Sequence, residues 1–166
     1  MKGDNPTGWS QNSSDYSSIL IKGKVSLSGN IMWLLDNGTG IIASIPNSYC
    51  FYRLFQNSTG LVSISENFLH ATTLTDRCYD GMFYNCTSLT TAPDLPATNL
   101  ATQCYWCMFD CCKLLNSIKI GYTGDYDSDI FTLWVAHTHS SGTFYYNGSQ
   151  DAEDFGFDDD WITQRF

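Results

Sequence analysis

The chain has little positive charge. Eight lysines and arginines stand against 17 aspartates and glutamates in 166 residues, a formal net charge of −9. A phosphate backbone needs a basic face, so this balance argues against nucleic acid as a partner and equally against an anionic membrane surface. No run approaches the roughly 18 apolar residues of a membrane-spanning helix, so no membrane insertion is expected. Residues 1–9, MKGDNPTGW, carry one lysine and no apolar core after it, so no signal peptide is expected there. A secreted form would have lost its signal; a chain complete as it stands would reach the outside by another route, such as a virus particle. Glycine-rich phosphate loops, Gly-x-Ser-x-Gly and His-Glu-x-x-His are also absent. His137 and His139 lie two apart, far from His70, and have no nucleophile or carboxylate motif beside them, so they read as surface histidines or at most a contact patch. The expectation is a protein that is not an enzyme and takes no cofactor.

What is present is a repeat. Apolar content of 43% and aromatic content of 15% imply one folded domain with a real core. Within residues 78–120, Cys78-Tyr79 returns as Cys104-Tyr105, Met82-Phe83 as Met108-Phe109, Cys86 as Cys112 and Leu89 as Leu115, each at an offset of 26. A worn copy lies upstream at an offset of 28, aligning Cys50-Phe51, Leu54-Phe55 and Leu61 with Cys78-Tyr79, Met82-Phe83 and Leu89, and putting Ser58 near the second cysteine's place. A fixed offset of this size marks stacked units, because one such unit cannot bury its own apolar face. Apolar steps of four, one, three and three predict a short helix in each unit. A turn and a short strand follow it, near 61–65, 89–92 and 115–120. Stacking predicts that these strands form one parallel sheet about 4.8 Å apart, with Phe55, Phe83 and Phe109 stacked inside.

At the ends, 1–17 is polar and expected to be loosely ordered apart from Trp9. Residues 18–27 read as one strand or a bent pair, and 28–35 as a short helix capped by Ser28 and stopped at 36–40. Residues 129–135 read as a helical segment capped by Asp127 or Ser128, 143–146 as a strand, and 158–160 as a solvated acidic corner. The division is an N-terminal polar segment and cap (1–44), three units (45–120) and a C-terminal cap (121–166), forming one domain.

The pattern CYxxMFxxCxxL followed by Leu95-Pro-Ala-Thr-Asn-Leu100 resembles the BspA-type leucine-rich repeats of surface proteins from gut Bacteroidales. Residues 68–74 fit the same linker, with His70 where that family usually has proline. The resemblance runs over roughly residues 18–166, with cap-like stretches at 22–32, 118–123, 134–135 and 141–146 and at Trp161; it weakens at 136–139 and 155–160. It implies an α/β fold: a short right-handed leucine-rich-repeat solenoid with parallel strands and short helices, capped at both ends. It also implies a non-enzymatic recognition or adhesion module on a cell surface or outside the cell, binding protein or glycan on a host or microbial cell. The alternative is a structural or receptor-binding component of a bacteriophage particle, a fibre tip or capsid decoration in the virion. Capsid and tail genes beside this one would decide for the phage.

Seven cysteines cannot all pair within one chain. Cys78, Cys86, Cys104 and Cys112 hold framework positions and are expected to be buried free thiols, with Cys78–Cys104 the one plausible exception. Cys104-x-x-Cys107 with Cys111-Cys112 has a zinc-like spacing, but framework and outer cysteines face different ways, so no metal site is expected. Asp125-x-Asp127-x-Asp129 opens like a calcium loop, yet its sixth and twelfth positions are Ile130 and Ala136, so a helix-capping turn is expected. The candidate binding residues are those that vary between units while the framework does not: Tyr52, Arg53, Asp80, Tyr84, Trp106 and Asp110. Aromatics beside arginine are the residue types that anchor interfaces. The competing surface is the strand side, with Thr90, Asn116 and Lys119.

Overall fold

The computed structural model describes residues 5, 8–36, 39 and 42–166. Among the described residues it is a mixed α/β structure with parallel strands, few short helices and no closed sheet. Strand β1 (Val25–Leu27) pairs in parallel with β2 (Leu61–Ile64). Farther along, β3 (Ser117–Lys119) pairs with β4 (Ser141–Tyr145), and β4 with β5 (Asp160–Gln164), again in parallel. The expected single sheet is therefore two. The stretch 89–92 is not a strand, although it spans the gap: Thr90 N–H donates to the Val62 carbonyl (3.3 Å), Asn116 N–H to the Thr90 carbonyl (3.1 Å) and Ala92 N–H to the Ser117 carbonyl (3.0 Å). Pro93 follows at once, and a residue without an N–H cannot continue a ladder.

The short helix expected in each unit does not form; the segments concerned are 49–58, 77–86 and 103–112. Each segment is a train of overlapping turns in which every fourth residue is left-handed. These residues are Tyr49, Arg53 and Asn57; Arg77, Gly81 and Asn85; Gln103, Cys107 and Cys111; and then Leu133 and His137. The backbone bonds divide by parity. Even-numbered residues donate three residues back, as Met82 N–H does to the Tyr79 carbonyl (3.1 Å). Odd-numbered residues donate to the following segment, as Phe55 does to Met82 (2.9 Å), Phe83 to Met108 (3.0 Å) and Phe109 to Trp134 (2.7 Å). Nearly every donor in the run thus has a partner, as buried backbone requires. A helix would satisfy the same donors internally and would leave nothing to join the segments.

This arrangement stacks the apolar side chains in register. Phe55 and Phe83 lie 5.7 Å apart with 2° between their planes, and Phe83 and Phe109 5.6 Å apart at 6°. A second column runs Phe51, Tyr79, Tyr105, at 6.0 and 6.4 Å. Ser58, Cys86 and Cys112 are each fully buried, and each donates to a carbonyl of the preceding stretch: Ile19 (2.9 Å), Phe55 (3.3 Å) and Phe83 (3.1 Å). A small donor is what the position needs, and serine meets it as cysteine does.

The ends depart from expectation in detail. Only Val25–Leu27 of residues 18–27 is a strand. The short helix is a 3-10 turn, Ile31–Leu34, capped by Asn30 and not Ser28: the Asn30 side chain accepts from Met32 N–H (2.9 Å). Of its expected stop at 36–40, residues 37, 38 and 40 lie outside the described residues. Helix α1 is short, Ser128–Phe131, and Asp127 caps it as expected, accepting from Asp129 N–H (2.8 Å). Of the expected loose segment 1–17, Trp9 N–H bonds the Cys50 carbonyl (2.8 Å) and Ser10 bridges Tyr16. This stretch packs on the first segment.

All seven cysteines are free, five of them buried and Cys107 and Cys111 half-buried. Burial pushes the thiols of Cys50, Cys86 and Cys104 up to about 12 and those of Cys78 and Cys112 well above their usual value. A thiol reporter on native protein should therefore find no more than two groups, Cys107 and Cys111, and all seven in denaturant without reductant. Fewer than four in denaturant would reveal a disulfide scaffold.

Candidate functional site

The six candidate residues fall into two clusters on the outside of the turn segments. In the first, Arg77 is the centre. Its guanidinium lies over the Trp106 ring (5.5 Å) and the Tyr49 ring (6.0 Å), and its Nη1 meets Asp80 Oδ2 at 2.9 Å. Arg53 lies over the Tyr52 ring at 5.0 Å, and its side chain crosses Gly81. Tyr52 is edge-on to Tyr16 and Tyr49, at 5.2 and 5.5 Å. The second cluster holds Tyr84, Asp110, Cys111 and His137. Asp110 Oδ1 lies 2.9 Å from His137 Nδ1.

None of the six is fully exposed. Arg53, Tyr84 and Trp106 are half-buried, whereas Tyr52, Asp80 and Asp110 are buried. The N-terminal stretch covers Tyr52: Ser10 Oγ donates to its carbonyl (3.3 Å), and the Tyr16 ring meets its ring edge to face. Asp80 is buried under Arg77 and is a support, not a contact. Sequence reasoning did not find Tyr49 or Arg77, and it set Cys111 aside as an outer cysteine and His137 as a surface histidine. The signal was available, because Tyr49 plus 28 is Arg77 and Cys111 plus 26 is His137. Following the register one column further, and one copy beyond the last cysteines, selects them.

No protein-family model, curated protein or solved structure matches the chain.

Burial lifts the Asp80 carboxyl to about 6, against the smaller opposing pull of Arg77 and Arg53. A carboxyl raised in the folded state holds its proton more tightly there. The stability it contributes is full below about pH 4 and is lost as pH rises through about 6. Urea titrations should show the parent gaining on the order of 2 kcal/mol over an Asp80→Asn variant as pH falls from 7 to 4. Parallel curves would remove this assignment.

On the competing side, Lys119 pairs with Asp94 (2.8 Å) beneath the Phe166 ring, whose centre is 4.9 Å from its ammonium. Thr90 Oγ1 is turned to the Val62 carbonyl (3.4 Å). Among the described residues no helix is long and apolar enough to cross a membrane.

Proposed function

We propose that the chain is a short, capped, right-handed leucine-rich-repeat solenoid that acts as a non-enzymatic recognition module, docking protein or glycan of a host or microbial cell on its turn face. The observation that carries the reading is Arg77, held between the Tyr49 and Trp106 rings with its charge steadied by Asp80. A cation and two aromatics fixed before a partner arrives lose little entropy on binding, and such residues dominate interface energetics. The parallel pairing, the two aromatic columns and the segment-to-segment bonds support the solenoid part.

The test is a double change of Tyr84 and Trp106 to serine, read by binding to intact gut bacterial cells and to a glycan array. Stability should fall by only about 1 kcal/mol, the worth of one partly exposed cation–aromatic contact, while binding should be lost. Unchanged binding by the double variant, with loss in Lys119→Glu, would move the site to the strand side.

A further inference from the structure

The geometry points to a zinc-class metal site formed by Asp110, Cys111 and His137. One carboxylate oxygen, one sulfur and one imidazole nitrogen from these residues all lie within 4.8 Å of one another. An ion bound at about 2.0–2.3 Å from each donor would set them roughly 3.3–3.8 Å apart. The remaining adjustment is small, and His137 can make it, since its side chain is 73% exposed.

Two further observations place these groups together by construction. Cys111 and His137 are both left-handed, at φ 63° and 55°. The Cys111 N–H donates to the Ala136 carbonyl (2.9 Å), which seats His137 against Cys111. The same column begins Asn57, Asn85, and there Asn85 Nδ2 donates to Asn57 Oδ1 at 2.9 Å. Neighbours in this column therefore meet side chain to side chain. At its far end the amide pair becomes a thiol and an imidazole, and Asp110 adds a carboxylate to the imidazole at 2.9 Å. Backbone bonds hold Asp110 (N–H to the Cys107 carbonyl, 3.3 Å), Cys111 and, through the Ala136 carbonyl, the residue before His137, so the fold positions the donors.

The donor chemistry selects the ion. Calcium and magnesium take all-oxygen shells, whereas sulfur with imidazole and one carboxylate suits borderline Zn²⁺. Three protein ligands leave a fourth position for water or for a group on a partner. The site is distinct from the four-cysteine arrangement, since Cys104 and Cys112 are fully buried and turned inward. It stands whether or not the turn face binds cells.

Co²⁺ added to the reduced full-length chain should give a thiolate-to-cobalt charge-transfer band with tetrahedral ligand-field bands, and Zn²⁺ should bleach both at about one ion per chain. Cys111→Ser should abolish the charge-transfer band. Losing a group that merely orients a ligand costs about 10–100-fold in affinity, so His137→Gln should weaken Zn²⁺ binding by more than about 100-fold. That variant alters an exposed side chain, and circular dichroism should match the parent. Cys107→Ser, which removes the other half-buried thiol, should bind as the parent does. The proposal is overturned if the parent gives no charge-transfer band, if Cys107→Ser abolishes it as Cys111→Ser does, or if His137→Gln binds Zn²⁺ within about threefold of the parent.

Discussion

Phe83→Ala is expected to destabilise the protein by about 3–5 kcal/mol. Phe83 is fully buried, with the Phe55 and Phe109 rings parallel to it on either side at 5.7 and 5.6 Å. Truncation removes the burial of one ring and leaves a slot between two others. The slot cannot close easily. Phe55 N–H is bonded to Met82, and Phe83 N–H to Met108, at 2.9 and 3.0 Å, so the backbone fixes the spacing from both sides. Domains of this size carry only about 5–15 kcal/mol in total, so this one change consumes a large share. Urea denaturation should show a lower midpoint with little change in slope. Phe83→Leu, which keeps most of the volume, should cost far less. A loss under about 1 kcal/mol for the alanine variant would mean that the column is not packed as described.

Gly142→Ala should rank next, at about 3–4 kcal/mol. Gly142 lies in β4, beside β3 on one flank and opposite Trp161 of β5 on the other. A Cβ there would stand 2.4 Å from the Asn116 carbonyl oxygen and 2.8 Å from its carbon. Both are backbone atoms, and that same oxygen accepts the Thr143 N–H at 2.9 Å. Room for one methyl can come only from moving the strands apart and losing that bond. Gly23→Ala is the matched control, since nothing lies within 4 Å of its would-be Cβ; it should stay within about 0.5 kcal/mol. Thermal melts of the two variants decide the point. Equal melting temperatures would show that the β3–β4 approach is looser than drawn.

The packing was legible and the backbone path was not. A run with apolar residues at Cys78, Met82, Phe83 and Cys86 reads as a helix face, because steps of three and four bring side chains to one side of an α-helix. A train of turns bonded three residues back, with every fourth residue left-handed, brings the same positions to one side. Position alone cannot separate the two. Residue type could have done so if the left-handed positions carried glycine or asparagine, which tolerate that region. Gly81, Asn57 and Asn85 do, but Tyr49, Arg53, Arg77, Gln103, Cys107 and Cys111 give no such signal. The offset of 26 made the aromatic columns readable in advance. The strand expected at 89–92 gave too little weight to Pro93, which cannot carry a ladder onward, and of the two caps the sequence allowed, Asp127 and Ser128, the structure uses Asp127. The site was half legible. Variation between copies singled out Tyr84 and Trp106, but it could not tell that Asp80 and Asp110 tuck beneath their neighbours. It stopped at the last cysteine-bearing copy, one step short of His137.

The division of backbone bonds by residue parity separates shape from surface chemistry. The path through 49–57, 77–85 and 103–111 is written in main-chain donors and acceptors, which every residue except proline supplies alike. The side chains at the left-handed positions hang from that path as interchangeable fittings on a fixed rail. Asparagine, cysteine and histidine already take turns in one column, and arginine, glycine, cysteine and leucine in the next. Each swap costs roughly 1–2 kcal/mol at most for a bulky residue in that conformation, and none redirects the chain. A lineage can therefore rewrite this face one residue at a time, from amide to thiol to imidazole, while the molecule underneath keeps its form.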